Sequence, residues 1–387
     1  MTENGKEVTL SGQIWQPDGF KAGRLTLEGA KITRLEFGQN LVADYEFGEN
    51  YICPGLIDLQ LNGGLGYDFT RDPTTVPPVA AALPRWGVTA FLPTYITAPL
   101  ETYFTALKWL ADYAENLPGA RVLGAHLEGP YLNPAFKGAH PETFIRPPDF
   151  AEVKNLLEIG GKWLKMLTIA PENPGALEIV QYLAHKGILV SAGHSGASYD
   201  EALAAFKAGV GCATHLFNAM PPLHHRKPGL IGATLVTPGI SANLIVDGVH
   251  LHPAMVKLTY QQKDAADIVL ITDAMAGLGM PPGRYDLAGQ AVIVDDTSAY
   301  LDDQHHTLAG SILTLNRAIQ NMVEFSGCTP AEAVQMATLN PARLLKLDDH
   351  LGNLTPGYAA DIAVFSPDFQ PLLTIIKGEI VFSDDKS

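Results

Sequence analysis

The chain has 387 residues, of which 47% are hydrophobic and 17% charged, and its formal net charge at pH 7 is −15. This length and composition predict a globular protein with room for one large domain and a smaller one. The negative charge argues against nucleic acid or an anionic membrane surface as a partner, and an anionic small molecule would need a local cluster of cations.

The cysteines and the lack of long apolar runs indicate the compartment. Cys53, Cys212 and Cys328 are widely spaced and form neither a disulfide framework nor a CxxC pair, so we expect buried thiols in a reducing compartment. The start MTENGKEVTL lacks the apolar run of a signal peptide, and no stretch of about 18 apolar residues predicts a membrane span. The sequence therefore predicts a cytoplasmic protein.

Both ends of the chain have the pattern of short β-strands. Residues 1–50 contain alternating segments such as GRLTLEG and AKITRLEFG, and the C-terminal ADIAVFSPD and LLTIIKGEIVF have the same character. Because these ends flank a different middle, we expect one small β-sandwich domain built from residues 1–50 and 351–387.

Residues 51–350 alternate apolar runs with helical stretches such as 99–116, 174–186, 198–209 and 253–263. The eight runs are YICPGLIDLQLNG, GVTAFLPTY, RVLGAHLEGP, WLKMLTIAPE, GILVSAGHS, GCATHLFNAM, SANLIVDGVH and DIVLITDAM. Short apolar strands that alternate with helices predict a parallel sheet covered on both faces, and eight such units predict an α/β fold of the TIM-like (β/α)8 barrel type. A doubly wound open sheet is the alternative, but no GxGxxG follows the first run.

The end of the barrel region has its own features. Residues 277–310 have the pattern of an insertion after the eighth strand, and we assign His305–His306 to a hairpin of it without a metal role. Helices are expected at 311–326 and 330–340.

Most of the eight runs end in polar or ionisable side chains. They are Asp58, Gln60, Asn62, His126, Glu128, Glu172, His194, His215, Asp247, His250 and Asp273. A barrel brings the carboxyl ends of its strands to one mouth. Because burying ionisable groups carries a penalty that a purely structural barrel has no reason to bear, this convergence predicts an active site.

Glu128, His194 and His215 form the candidate metal site. One carboxylate and two imidazoles are typical of a catalytic zinc site with an open position for water. Each residue alone is more often a hydrogen-bonded side chain at a strand end, but the three together favour a metal. His126 shares a strand face with Glu128 and is either a supporting residue or a spare ligand.

Asp273 and His140 are the candidate catalytic residues. Beside a metal-bound water, Asp273 can accept a proton and later donate it to the leaving group, whereas the alternative is an N-cap of the following turn. His140 ends the loop segment HLEGPYLNPAFKGAH. There it either polarises a substrate carbonyl or is a solvated loop residue, and spacing alone favours neither.

The segment FNAMPPLHHRKPG after the sixth run is the candidate anion site. Asn218 and Ala219 offer backbone donors near the mouth, and Arg226 with Lys227 supplies local positive charge. The alternative is a solvated basic loop with the histidines at 224 and 225 on its rim.

At this point the sequence resembles the amidohydrolase superfamily and, within it, the N-acetylglucosamine-6-phosphate deacetylase family. The motifs that carry the resemblance are PGLIDLQLNG, HLEGPYLNPAFKGAH, GHSGAS, THLFNAM, DGVH, TDAM and GNLTPGYAADIAVFSP. They cover nearly the whole chain in order, and HLEGP and THLFNAM separate this family from other amidohydrolases. The resemblance implies hydrolysis of N-acetylglucosamine 6-phosphate to glucosamine 6-phosphate and acetate.

The resemblance also implies roles for single residues. Glu128, His194 and His215 match the metal ligands. Asp273 matches the general base and then acid, and His140 the contact to the acetamido carbonyl. The residues that match substrate and phosphate contacts are Ala139, Asn218, Ala219, Arg226, His250, Leu308, Ala309 and Gly310. The family is usually dimeric, so we expect a homodimer in which Arg226 reaches the partner's site.

Gln60 and Asn62 stand where many members of the superfamily carry His-x-His. Amides are poor transition-metal ligands beside imidazole, and no lysine ends the fourth strand to bridge two metals as a carbamate. We therefore expect one divalent metal ion per subunit, Zn²⁺ in first place, although the same ligands accept Fe²⁺ or Co²⁺.

Two other functions stay open. The first is another barrel amidohydrolase that acts on a cyclic amide, as a dihydroorotase or an imidazolone hydrolase does. Arg226–Lys227 and the missing carbamate lysine argue against it. The second is a non-catalytic scaffold with an amidohydrolase fold, which the presence of the candidate ligands together with Asp273 disfavours.

Overall fold

The structure is a computed structural model that describes residues 7–303 and 307–384. The expectations for residues 1–6, 304–306 and 385–387, including His305–His306 of the insertion hairpin, lie outside the described residues. No helix within the described ranges has the length and apolar character needed to cross a membrane.

Eight parallel strands form a barrel. In chain order they are Leu56–Leu61, Val88–Ile96, Ala125–Glu128, Leu164–Ile169, Leu189–Ala192, Val210–Ala213, Ser241–Leu244 and Ile268–Leu270, and the short strand Arg121–Val122 also pairs with the second. Hydrogen bonds from Asp273 N to Gln60 O (2.9 Å) and from Asn62 N to Ala274 O (2.8 Å) join the last segment to the first strand. These contacts confirm the predicted barrel.

The barrel strands are buried on both sides. Every residue of Leu56–Leu61 and of Val88–Ile96 is buried. Since helices cover the outer face and side chains fill the interior, each strand appears in the sequence as a nearly continuous apolar run.

Helices surround the barrel. Their bounds are Val76–Ala82, Leu100–Tyr113, Phe150–Gly160, Ala176–His185, Tyr199–Ala208, Gly229–Val236, Pro253–Gln262, Leu315–Ser326, Pro330–Met336 and Leu339–Leu344. The helix between the fifth and sixth strands has the predicted signals: a capping box of Ser198 with Glu201 at its start, and Gly209 with φ +123° at its end. The four helical stretches predicted between the strands are all confirmed.

The two ends of the chain meet in one mixed sheet. Its strands lie in the order Glu379–Ser383, Pro371–Ile376, Ile362–Phe365, Tyr45–Pro54, Glu7–Gln16, Gly19–Glu28 and Lys31–Phe37. Hydrogen bonds join the seven strands continuously, and the fourth and fifth in this order run parallel. We propose that this sheet, whose N-terminal part ends at Pro54, forms one domain and that the barrel forms the other.

The insertion after the eighth strand forms a small antiparallel sheet of its own. Its strands are Gly283–Leu287, Gln290–Val294 and Ala299–Leu301. Asp68, in the loop after the first barrel strand, holds the insertion in place. Its carboxylate accepts a hydrogen bond from Ala288 N of the insertion at 2.6 Å. Burial raises the pKa of Asp68 to about 6 despite this bond. The insertion thereby supplies one wall of the barrel mouth.

Candidate active site

A cavity of about 230 Å³ lies at the carboxyl ends of the barrel strands. Its lining residues are Asn62, Ile96, Glu128, Gly138, Ala139, His140, His194, His215, Asn218, Ala219, Ile245, His250, Asp273, Leu287, Thr307, Leu308 and Gly310. A larger groove of about 710 Å³ lies near the amino ends of the third and fourth strands, beside Arg121, Trp163 and Lys377. The smaller cavity is the candidate active site, because the ionisable side chains converge there.

Glu128, His194 and His215 converge at the floor of this cavity. His215 Nε2 lies 3.0 Å from Glu128 Oε1 and 3.2 Å from His194 Nε2, and His194 Nε2 lies 3.3 Å from Glu128 Oε1. Ligand atoms at about 2.0–2.1 Å from a tetrahedral zinc ion are about 3.3 Å apart, so the three distances match the edges of such a site. Within the described ranges, this is the cluster of histidine, cysteine and carboxylate groups that can hold a metal ion.

Neighbouring groups orient the candidate metal ligands. His194 Nδ1 donates to the carbonyl oxygen of Phe136 at 2.9 Å, which leaves its Nε2 for a metal. Burial opposes the charge of Glu128, but the hydrogen bonds from His194 and His215 outweigh it and hold the pKa of this carboxyl well below its usual range. Glu128 is therefore ionised, which is the form that metal binding requires of a carboxylate.

Asp273 faces the same point from the end of the eighth strand. Its Oδ1 accepts hydrogen bonds from Asn62 Nδ2 at 2.7 Å and from Gln60 Nε2 at 3.0 Å. Burial raises the pKa of Asp273, and the charge of Glu128 raises it further. The bonds recorded for this carboxylate come from the two amides and not from the following turn, so they give no support to an N-cap role.

Gln60 and Asn62 act as donors to the carboxylates. Gln60 Nε2 donates at 3.0 Å to Glu128 Oε1 as well as to Asp273. In consequence the buried Gln60 Oε1 and Asn62 Oδ1 have no hydrogen-bond partner among the residues that the structure describes. With their amino groups turned to the carboxylates, these two amides orient the acidic residues.

His140 is buried in the cavity wall and is not a solvated loop residue. Thr97 N donates to His140 Nδ1 at 3.2 Å, so Nδ1 is the acceptor and the ring proton is on Nε2. That Nε2 lies 3.7 Å from Glu128 Oε2. Burial and then the neighbouring His194 lower the pKa of His140 well below its usual range. The residue is thus a neutral donor that points toward the candidate metal site.

The structure brings most of the expected substrate contacts into the cavity, but not all of them. Ala139, Asn218, Ala219, His250, Leu308 and Gly310 line it. Ala309 does not, because its N donates to Ala299 O at 3.0 Å and its side chain is buried among apolar residues of the insertion. Arg226 is exposed on its loop outside the cavity, with Nη1 2.8 Å from His225 Nε2.

Gly310 is a position where only glycine fits. Its φ is +66°, and an added Cβ would lie 2.8 Å from Asp273 O. The close approach of the two backbones holds the end of the insertion against the end of the eighth barrel strand, at Asp273.

His126 is a supporting residue and not a spare ligand. Its Nε2 lies 2.8 Å from Thr168 Oγ1 and its Nδ1 lies 3.3 Å from Thr94 Oγ1. Burial lowers the pKa of His126 to about 4, so the ring is neutral at pH 7. Both nitrogens therefore contact hydroxyl groups beside the candidate metal site.

Two supporting groups were missed by the sequence reasoning. Thr97, which fixes the tautomer of His140, follows the second barrel strand, so its position at a strand end was an available signal. The carbonyl of Phe136, which orients His194, is a backbone group and leaves no signal in the sequence.

Known proteins resemble this chain over most of its length. The amidohydrolase family model matches residues 51–381. The N-acetylgalactosamine-6-phosphate deacetylase of Escherichia coli O157:H7 is 41% identical over 331 residues, which are 85% of this chain and 87% of that protein. The N-acetylglucosamine-6-phosphate deacetylase of Bacillus subtilis (strain 168) is 36% identical over 388 residues, 99% of this chain and 95% of that one.

Solved structures also resemble this chain over nearly its whole length. The N-acetylglucosamine-6-phosphate deacetylase from Thermotoga maritima superposes with a TM-score of 0.89 at 35% identity, covering 98% of this chain and all of that one. The enzyme of that name from Pasteurella multocida gives a TM-score of 0.91 at 31% identity with the same coverage. The chain belongs to the amidohydrolase family. Within that family, the relatives named here are sugar-phosphate deacetylases.

Proposed function

We propose that this chain hydrolyses N-acetylglucosamine 6-phosphate to glucosamine 6-phosphate and acetate. The observation that carries the proposal is one cavity that holds a cluster of three candidate metal ligands, a buried carboxylate and a neutral histidine donor. Relatives of nearly the same length that are named for this reaction support it.

The proposed cofactor is one divalent ion per subunit, held by Glu128, His194 and His215. Zn²⁺ is our first choice because the spacing of the ligand atoms suits a tetrahedral site, and Fe²⁺ or Co²⁺ suits the same donors. When bound, such an ion lowers the pKa of a water molecule to about 7 and polarises the carbonyl oxygen of the acetamide.

Asp273 moves the proton in this proposal. It accepts a proton from the attacking water, whose oxygen bonds to the acetyl carbon, and it later donates that proton to the sugar nitrogen as the C–N bond breaks. Gln60 and Asn62 hold the carboxylate in place through their amide donors. His140 donates from Nε2 to the oxyanion that develops on the acetyl oxygen.

The phosphate end of the substrate needs positive charge or strong donors. In the proposal Asn218, the backbone at Ala219, and His250 supply donors from the cavity wall. The exposed position of Arg226, outside the cavity of its own chain, fits a homodimer in which the partner subunit's Arg226 completes the phosphate site.

The C4 epimer N-acetylgalactosamine 6-phosphate is a second candidate substrate. It is favoured by the 41% identity to a deacetylase named for that sugar. The test is acetate release from both 6-phosphates, from N-acetylglucosamine without phosphate, and from dihydroorotate as a cyclic-amide control. We expect release from N-acetylglucosamine 6-phosphate and at least a ten-fold lower kcat/KM without the phosphate. Hydrolysis of the cyclic amide alone would overturn the proposal.

We propose a cytoplasmic location. The three cysteines are buried and free, which suits a reducing compartment.

A further inference from the structure

We propose that Asp247 is a positioning residue that holds the His250 imidazole at the cavity wall, so that its Nε2 binds the 6-phosphate of the substrate. The inference rests on the proposed function and deepens it. It assigns a role to a buried carboxylate that the hydrolysis itself does not use.

The carboxylate of Asp247 binds both the ring and the backbone of the following turn. Its Oδ2 lies 2.6 Å from His250 Nδ1. Its Oδ1 accepts hydrogen bonds from Val249 N at 2.8 Å and His250 N at 2.7 Å. Gly248, with φ +80°, allows the chain to wrap around the carboxylate. The imidazole is therefore fixed from two directions.

The pair is withdrawn from solvent but reaches the cavity through the histidine. The side chains of Asp247 and His250 are 8% and 6% exposed, and His250 lines the cavity. Asp247 itself is absent from the cavity lining. The ring thus stands between a carboxylate and the space where the anionic end of the substrate is proposed to bind.

The charge of Asp247 fixes which nitrogen of His250 meets the ligand. Burial alone would raise the pKa of Asp247, but the hydrogen bond from His250 and those from the backbone outweigh it and lower the pKa. Asp247 is therefore ionised at pH 7 and accepts from Nδ1–H. Nε2 has no recorded partner in the part of the chain that the structure describes, and it is the nitrogen left for a ligand. A phosphate oxygen can only accept, so an Nε2 that binds it must donate a hydrogen while Nδ1–H donates to Asp247.

The competing explanation is that Asp247 only stabilises its turn. Asp264 provides a matched control, because its Oδ1 accepts a hydrogen bond from Ala266 N at 2.9 Å in a turn outside the cavity. Asp264→Asn therefore changes an equivalent turn without touching a cavity residue.

The kinetic test compares Asp247→Asn, His250→Gln, their double variant and Asp264→Asn. The amide that Asp247→Asn introduces keeps one oxygen for the turn but presents an amino group or a neutral oxygen to His250. We expect KM for N-acetylglucosamine 6-phosphate and the inhibition constant of inorganic phosphate to rise about ten-fold in Asp247→Asn, with kcat changed by less than about three-fold. The KM of the double variant should be no higher than that of His250→Gln, because the two residues act as a unit.

A second readout does not depend on turnover. Long-range ¹H–¹⁵N NMR of the histidine-labelled protein reports which ring nitrogen carries a proton. The signals that disappear in His250→Gln belong to His250, and we expect them to show a proton on Nδ1. Asp247→Asn should change that pattern. An unchanged KM and phosphate inhibition in Asp247→Asn would overturn the inference, as would a fall in kcat at unchanged KM. If the wild-type protein deacetylates neither 6-phosphate, the proposed function fails instead, while the NMR pattern still reports whether Asp247 orients the ring.

Discussion

At the scale of single residues, three site residues have an unusual backbone conformation. His194, His215 and Asp273 have φ values of +48°, +28° and +51°. A non-glycine residue in this region costs on the order of 1–3 kcal/mol, so the surrounding structure must hold it. Hydrogen bonds from Asn133 N to His194 O (3.0 Å) and from Ser311 N to Asp273 O (2.8 Å) do so. The strain turns each side chain from the end of its strand into the cavity.

The chemistry proposed for Asp273 predicts the effect of Asp273→Asn. The variant should keep its metal ion, because Asp273 is not one of the three clustered ligands. Turnover should fall by roughly 10²–10⁴-fold, because an amide cannot carry the proton. Steady-state kinetics with metal analysis of the same sample checks both expectations. Activity near that of the wild type would exclude the role.

Asp58 predicts a pH-dependent stability. It is 1% exposed, Thr272 Oγ1 donates to it at 2.6 Å, and burial raises its pKa to about 7. Between about pH 4 and 7 the folded state thus binds the proton more tightly than the unfolded state, so this group's contribution to stability falls as the pH rises through that window. Asp58→Asn should therefore stabilise the protein at pH 8, by about 1–4 kcal/mol.

The measurement for Asp58→Asn is thermal unfolding at pH 8 and pH 5. The stabilisation relative to the wild type should be smaller at pH 5, where the Asp58 carboxyl of the folded wild type is already protonated. Asp112→Asn, on the exposed side of the helix Leu100–Tyr113, is the control and should change little. A destabilised Asp58→Asn at pH 8 would show that the carboxylate charge is needed.

At the scale of elements, hydrogen bonds between the loops after the barrel strands support the candidate metal ligands. Glu172, after the fourth strand, accepts hydrogen bonds from Asn133 Nδ2 at 2.9 Å and Ser195 Oγ at 2.7 Å. Asn133 in turn binds the backbone of His194. One carboxylate therefore ties together the loops that follow the third, fourth and fifth strands.

This arrangement predicts that Glu172→Gln weakens metal binding. A neutral amide has one oxygen for these donors, so the loop that carries His194 should lose part of its support. We expect the affinity for Zn²⁺ to fall about 10–100-fold, measured by competition with a chelator. Ser198→Ala removes the cap of the next helix and should lower stability by about 1 kcal/mol while leaving the affinity unchanged. Equal losses of affinity in both variants would indicate a general loosening of the loop.

The elements also show how far the sequence predicts the structure. The eight strands were predictable because burial on both faces makes them apolar, and the helix Tyr199–Ala208 because its caps are explicit. The helix Gly229–Val236 was not predicted, since nearly all of its residues are buried and it lacks an amphipathic pattern. The position of Glu128 and of the two histidines in the site was predictable, because each lies at the end of a strand. The direction of the Gln60 and Asn62 amides was not predictable from the sequence, because it depends on the carboxylates that face them.

At the scale of the whole molecule, the phosphate site is completed by a second chain in the proposed function. Arg226 lies outside the cavity of its own chain, and the proposed homodimer brings it to the partner's cavity. A mixed dimer can separate the two arrangements, because each subunit then carries a different defect.

Subunit complementation tests that arrangement. Asp273→Asn and Arg226→Glu chains, each of low activity alone, are co-expressed and the dimers assembled at random. About a quarter of the wild-type activity should return, because half of the dimers are mixed and each mixed dimer holds one complete site. Activity no higher than the sum of the two variants would place Arg226 in the site of its own chain, and a monomer by light scattering would exclude the dimer.

The central claim is tested most directly by acetate release from N-acetylglucosamine 6-phosphate with protein of known metal content. Chelation should abolish the release, and one equivalent of Zn²⁺ per chain should restore it in full, because the described residues provide one three-ligand cluster. Full activity without metal, or a need for two equivalents per chain, would contradict the account.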